Sequence, residues 1–146
     1  MNNIAKRGIY LSAGQVKAAN ITVKNTKAEG IYMENVGSLE ATNLTVQNVE
    51  HQGIQIQHQG TLKVTGTLTL DNITKNALRL YNRNGQPTVT IGTLKTTTVG
   101  EYGIAATLTI TNTNLNVTKM LHKNCTTVLH GNVDAGCVGT IQEITE

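Results

Sequence analysis

Trp and Phe are absent from this 146-residue chain, Pro occurs once and Cys twice. Charge is scarce too: 14% of residues carry one, and 12 Lys and Arg against 9 Asp and Glu leave a net +3. So small and scattered an excess excludes the basic footprint of a nucleic-acid-binding surface. The longest apolar runs are only a few residues, which excludes a membrane-inserted segment in this sequence. Little Ala, Glu or Lys argues against helices. What is abundant is Thr and Asn, 24 and 16 residues, over a quarter of the chain, with 14 Gly. That composition favours strands and turns. At 38% hydrophobic, with Ile, Leu and Val spread evenly, the chain is no disordered tail and is long enough for one buried core.

The chain repeats itself. Segments beginning at Gly8, Gly30, Gly53, Ala77 and Gly103 align, with starts 22, 23, 24 and 26 residues apart. Each holds three short stretches in which apolar residues alternate with others. The first is Ile9/Leu11, Ile31/Met33, Ile54/Ile56, Leu78/Leu80 and Ile104/Ala106. The second is Val16/Ala18, Leu39/Ala41, Leu62/Val64, Val89/Ile91 and Leu108/Ile110. The third is Ile21/Val23, Leu44/Val46, Leu68/Leu70, Leu94/Thr96 and Leu115/Val117. Period two over such short runs predicts strands.

Turn residues recur in the same register. Asn20, Asn43, Gly66, Gly92 and the Asn112/Asn114 pair precede the third stretch, where a left-handed bend is expected. Two residues beyond it stand Asn25, Asn48 and Asn72, then Thr98. Amides at one bend of successive units can hydrogen-bond from unit to unit, so these three Asn are expected to form a structural ladder in a buried bend.

A period of 22–26 residues with three short strands per unit has one natural solution, an all-β solenoid of about five to six coils. Equivalent strands then stack in parallel about 4.8 Å apart, and their inward residues form one continuous core. The GIYL, GIYM and GIQI strand starts and the Asn-Ile-Thr and Asn-Leu-Thr turns resemble the right-handed parallel β-helix proteins, the pectate-lyase-like superfamily. Coils are expected over residues 1–124, with an irregular C-terminal coil or cap over 125–146. Asn3–Gly8 matches Asn48–Gly53 and Asn72–Ala77 in spacing, so the chain is expected to begin in mid-coil and to adjoin neighbouring coils of a longer parent chain. Cys125 and Cys137, 12 residues apart, are expected to form a disulfide that closes the C-terminal end; free buried thiols and a Cys2His2 zinc site with His122 and His130 are the alternatives. The spacing fits no metal-ligand pattern.

Alternation also predicts the outward face. Tyr10, Tyr32, Gln55 and Arg79 form one file, continued by Ala105; Ser12, Glu34, Gln57 and Tyr81 form the next, continued by Thr107. Tyr10, Tyr32, Glu34, Gln55, Arg79 and Tyr81 are therefore the candidate binding residues, because aromatic, amide, Arg and carboxylate groups in a row suit sugar rings and hydroxyls. The same row is equally the solvated side of a strand. Catalytic signs are missing: Asp71 and Asp134 lie in different coils and registers, Glu34 faces Gln57 on the next coil, and no acidic calcium cluster accompanies Arg79. No cofactor or metal is expected. The Asn-X-Thr matches arise from turn chemistry.

The resemblance implies a non-enzymatic segment of a secreted or cell-surface β-helix, most like bacterial adhesin and autotransporter passengers, with a glycan or host surface protein as partner. A non-catalytic fragment of a polysaccharide lyase or hydrolase and a phage tail-fibre or tailspike segment are the alternatives.

Overall fold

The computed structural model describes residues 5–145, so Asn3 and Ile4 of the expected leading half-coil lie outside the described residues. Short and long strands alternate: β1 Ile9–Leu11, β2 Gln15–Thr26, β3 Ile31–Met33, β4 Ser38–Val49, β5 Ile54–Gln57, β6 Thr61–Ile73, β7 Leu78–Tyr81, β8 Thr88–Ala106, β9 Leu115–His130 and β10 Val138–Glu143. One 3-10 turn spans Ala135–Cys137. The short strands stack β1-β3-β5-β7 and then on the end of β8, while the long ones stack β2-β4-β6-β8-β9-β10. Every pairing is parallel. The chain is a right-handed parallel β-helix of about six turns.

The alternation in sequence becomes stacking in space. Ile9, Ile31, Ile54, Leu78, Ile104 and Leu129 form one inward file. Leu39, Leu62, Val89 and Leu115 form another, and Leu44, Leu68, Leu94 and Met120 a third. These side chains join one cluster, most of it wholly buried. No single coil has enough apolar surface to do this alone, so each rung is stabilised by its neighbours.

Two details differ from the expected coil. The second and third strands are one bent strand, continuous through Asn20, Asn43, Gly66 and Gly92, and none of these four has a positive φ. β2 and β4 pair in one register through this corner, and β6 carries one extra residue there, which shifts its register against β4 between Ala41 and Leu44 and against β8 between Val64 and Thr67. Gly66 serves close approach instead: a Cβ there would stand 2.7 Å from the Thr42 carbonyl oxygen. The left-handed backbone lies at the other corner, at Asn25, Asn48, Asn72, Thr98 and Asn124, with φ of 58°, 57°, 55°, 54° and 53°.

The fifth coil is also phased differently. Leu115 and Val117 stack under Val89 and Ile91, as second-stretch residues, and Met120 and His122 take the places under Leu94 and Thr96. Leu108 is 45% exposed, and Ile110 makes an isolated bridge to Val133. Residues 107–114 are thus a loop, and β9 continues the helix past residue 124 to His130. Within residues 125–146 lie the end of β9, a bend and 3-10 turn, and β10, which pairs in parallel with Val117–His122 of β9.

Candidate functional site

The short-strand sheet carries the outward flank. Tyr10, Tyr32, Gln55, Arg79, Ala105 and His130 are successive partners along it, one per rung. Gln57 and Tyr81 pair in the neighbouring file. Outward does not mean free, however. Tyr10 is 50% exposed, but Tyr32 and Gln55 are buried at 8% and 9%.

Tyr32 is covered by a residue the alternation did not single out. The Arg7 guanidinium lies 3.9 Å from the Tyr32 ring centroid and 5.3 Å from that of Tyr10, and the two rings stack at 5.5 Å. Arg7 Nε donates to Glu29 Oε2 at 3.0 Å, and His51 Nδ1 stands 3.6 Å from Glu29 Oε1. Burial opposes ionisation of Glu29, but hydrogen bonds from its own backbone N–H and from Arg7, with the Arg7 and His51 charges, hold its carboxyl below the usual range. The Tyr10 hydroxyl donates to Glu34 Oε1, which raises the Tyr10 pKa. Glu34 is thereby engaged within the flank, next to Asn35, whose Nδ2 donates to Ser12 Oγ at 3.0 Å.

A polar residue stands just before each short strand, and three of the five, Glu29, Gln52 and Asn76, are buried. Arg7, Glu29, Gln52, Asn76 and Tyr102 immediately precede the five unit starts. Gln52 Oε1 accepts from Asn76 N at 2.9 Å, and Asn76 Oδ1 accepts from Tyr102 N at 3.2 Å. Each amide satisfies a backbone donor of the next coil, which fixes rung spacing along the flank. A polar residue before every unit start was the available signal. Asn82, 2% exposed, does the same further on, donating to the Leu108 and Thr109 carbonyls and accepting from Leu108 N at 2.8 Å.

At the C-terminal end of the file, Arg79, Ala105 and His130 line a depression of about 270 Å³ together with Asn76, Glu101, Tyr102 and Thr107. Tyr102 and His130 stack at 3.8 Å with 4° between their planes.

The remaining candidates are structural. Asn48 Nδ2 donates to Asn25 Oδ1 and Asn72 Nδ2 to Asn48 Oδ1, both at 2.9 Å. This ladder is on the solvent side, with Asn48 and Asn72 exposed, rather than in a buried bend. Cys125 and Cys137 are free thiols, not a disulfide. Cys125 stacks beyond Val99 at the left-handed corner and its Sγ donates to the Thr127 carbonyl, whereas Cys137 Sγ donates to the carbonyl of Ile110. Twelve residues is about half a coil, so the two thiols occupy different faces. Among the described residues no three His, Cys, Asp or Glu side chains converge as a metal site. Both Asp residues are engaged locally, Asp71 with Gln47 Nε2 at 2.7 Å and Asp134 with Gly136 N at 2.9 Å.

No protein-family model, curated protein or solved structure matches the chain, so its function is argued from this geometry.

Proposed function

We propose that the chain is a non-enzymatic β-helical stalk segment, displayed outside the cell, whose short-strand flank makes contact with glycan or with a host surface protein. The observation that carries the reading is the file Tyr10–Tyr32–Gln55–Arg79–Ala105–His130, one side chain per rung of a rigid sheet. Its accessible members, Tyr10, Arg79 and His130, offer aromatic and guanidinium groups that suit sugar rings and hydroxyls. The buried amides that precede the short strands hold the rung spacing, so little entropy is lost on contact. Single contacts on an open face are weak, and several rungs acting together supply affinity. The place outside the cell and the likeness to adhesin passengers of the pectate-lyase-like superfamily rest on the resemblance of the repeats.

The test is a glycan array probed with the intact chain and with a Tyr10→Ala, Arg79→Ala variant whose fold is checked by circular dichroism. Tyr32 is kept, because it packs beneath Arg7. Capture by the parent chain and its loss in the variant support the reading. Equal capture by both moves the contact to another face.

A further inference from the structure

We propose that Asn84, in the loop between β7 and β8, is a site of spontaneous covalent modification. Its side-chain amide cyclises onto the Gly85 nitrogen and hydrolyses, so the chain acquires a carboxylate or an isoaspartyl linkage at this position as it ages.

The sequence supplies the reactive pair. Of the 16 Asn, Asn84 is the only one followed by Gly. A following side chain shields the backbone nitrogen, a β-branched one most of all. Gly has none, and its backbone turns freely into the approach that ring closure needs. Gly85 already stands at φ 136°, where side-chain-bearing residues are rare.

The fold leaves that pair free. Residues 82–87 lie outside the strands, and the Gly85 N–H makes no hydrogen bond among the described residues. Asn84 is exposed, and its amide has no partner among them either. Elsewhere the fold protects. Asn25, Asn48 and Asn72 are held in the ladder and followed by the β-branched strand residues Thr26, Val49 and Ile73. Asn76 and Asn82 are each 2% exposed, with amides bonded to backbone. Asn112 and Asn132 are exposed outside the strands, but β-branched Thr113 and Val133 follow them.

The step is redox-neutral and consumes one water. The Gly85 nitrogen gives its proton to solvent and bonds to Asn84 Cγ. The bond from Cγ to the side-chain nitrogen breaks, and that nitrogen takes up a proton and leaves as ammonia. Water then opens the cyclic imide at either carbonyl. One opening gives Asp at position 84; the other routes the main chain through Cγ and lengthens it by one methylene. Either product lowers the net charge of +3 by one. The new carboxylate borders a groove of about 350 Å³ lined also by Asn35, Val36, His58 and Gln59. Asn82 and Pro87 are buried at the two ends of the loop, so the added length is taken up between them and the coils keep their stacking.

The experiment ages the intact chain in warm, mildly alkaline buffer and follows acidic species by ion exchange. Cleavage after lysine yields one peptide, residues 76–95, that holds Asn76, Asn82 and Asn84 together. Mass mapping is expected to find NH2 exchanged for OH at Asn84 about tenfold or more faster than at Asn76, Asn82, Asn112 or Asn132. An isoaspartyl-specific methyltransferase should label the same peptide, while circular dichroism and melting stay unchanged. Asn84→Gln should remove the acidic species, and Gly85→Ala should slow their formation about tenfold. In urea the rates at Asn76 and Asn82 should rise while that at Asn84 changes little. Equal rates at Asn84 and Asn132, acidic species that persist in Asn84→Gln, or a sharp acceleration at Asn84 in urea overturns the proposal.

Discussion

Asn72 donates through Nδ2 to Asn48 Oδ1 at 2.9 Å, and both residues hold a left-handed backbone, φ 55° and 57°. The same corner of the next coil is Thr98, φ 54°, and of the one after it Asn124, φ 53°. A β-branched residue is poorly suited to that region, whereas Asn tolerates it. Thr98→Asn is therefore expected to stabilise by about 1 kcal/mol, from backbone relief and a new donor to the Asn72 amide. Melting should rise by roughly 2–4 °C. A lowered melting temperature would show that the corner does not carry this strain.

Asn48→Leu at the same corner loses a bond on each side and puts a branched aliphatic at positive φ. The cost expected is about 1–2 kcal/mol. Thr90→Leu, also exposed but on an extended strand, should cost little. Thermal melts of the two variants compare the corner with the strand, and equal losses would remove the ladder from the account of stability.

Thr96 is wholly buried between Leu70 and His122 in an inward file, and its Oγ1 has no hydrogen-bond partner. An unpaired buried hydroxyl is costly, and Val has nearly the same shape. Thr96→Val is expected to stabilise by about 1–2 kcal/mol. Denaturant unfolding measures it through the midpoint at constant slope.

Glu29 has a carboxyl pKa held below its unfolded value by hydrogen bonds and by the Arg7 and His51 charges, against its burial. A depressed carboxyl stabilises the fold above the unfolded pKa and loses that contribution as pH falls through the folded pKa. Stability should thus decline on acidification below the ordinary Glu range. Glu29→Gln is expected to flatten that decline and lower stability at neutral pH. A parallel pH profile in parent and variant would contradict this.

Both thiols have pKa values raised by burial, that of Cys137 also by Asp134. They should react slowly with a thiol reagent in the native chain. In denaturant without reductant the full pair should titrate as free thiols. A single mixed or bridged species would restore the disulfide.

How much was legible follows from the physics of each feature. The period of the apolar residues was visible because every inward file needs one aliphatic per coil, and five repeats leave little room for accident. The outward file was legible for the same reason, down to which residue follows which. The phase of the fifth coil was not: Leu108/Ile110 and Leu115/Val117 satisfy the alternation equally, and only stacking on Val89 and Ile91 chose the second pair. Arg7 over Tyr32 was likewise invisible, because it depends on where a long side chain from the preceding corner comes to rest.

Residue order alone therefore determined the solenoid, its rung length, its core files and the order of side chains on the flank, since these follow from local alternation repeated at a fixed period. Tertiary structure decided which outward residues are exposed and that the two cysteines stay apart. Those outcomes depend on contacts between coils and around corners, where distance in space is set by the winding of the chain rather than by spacing along it.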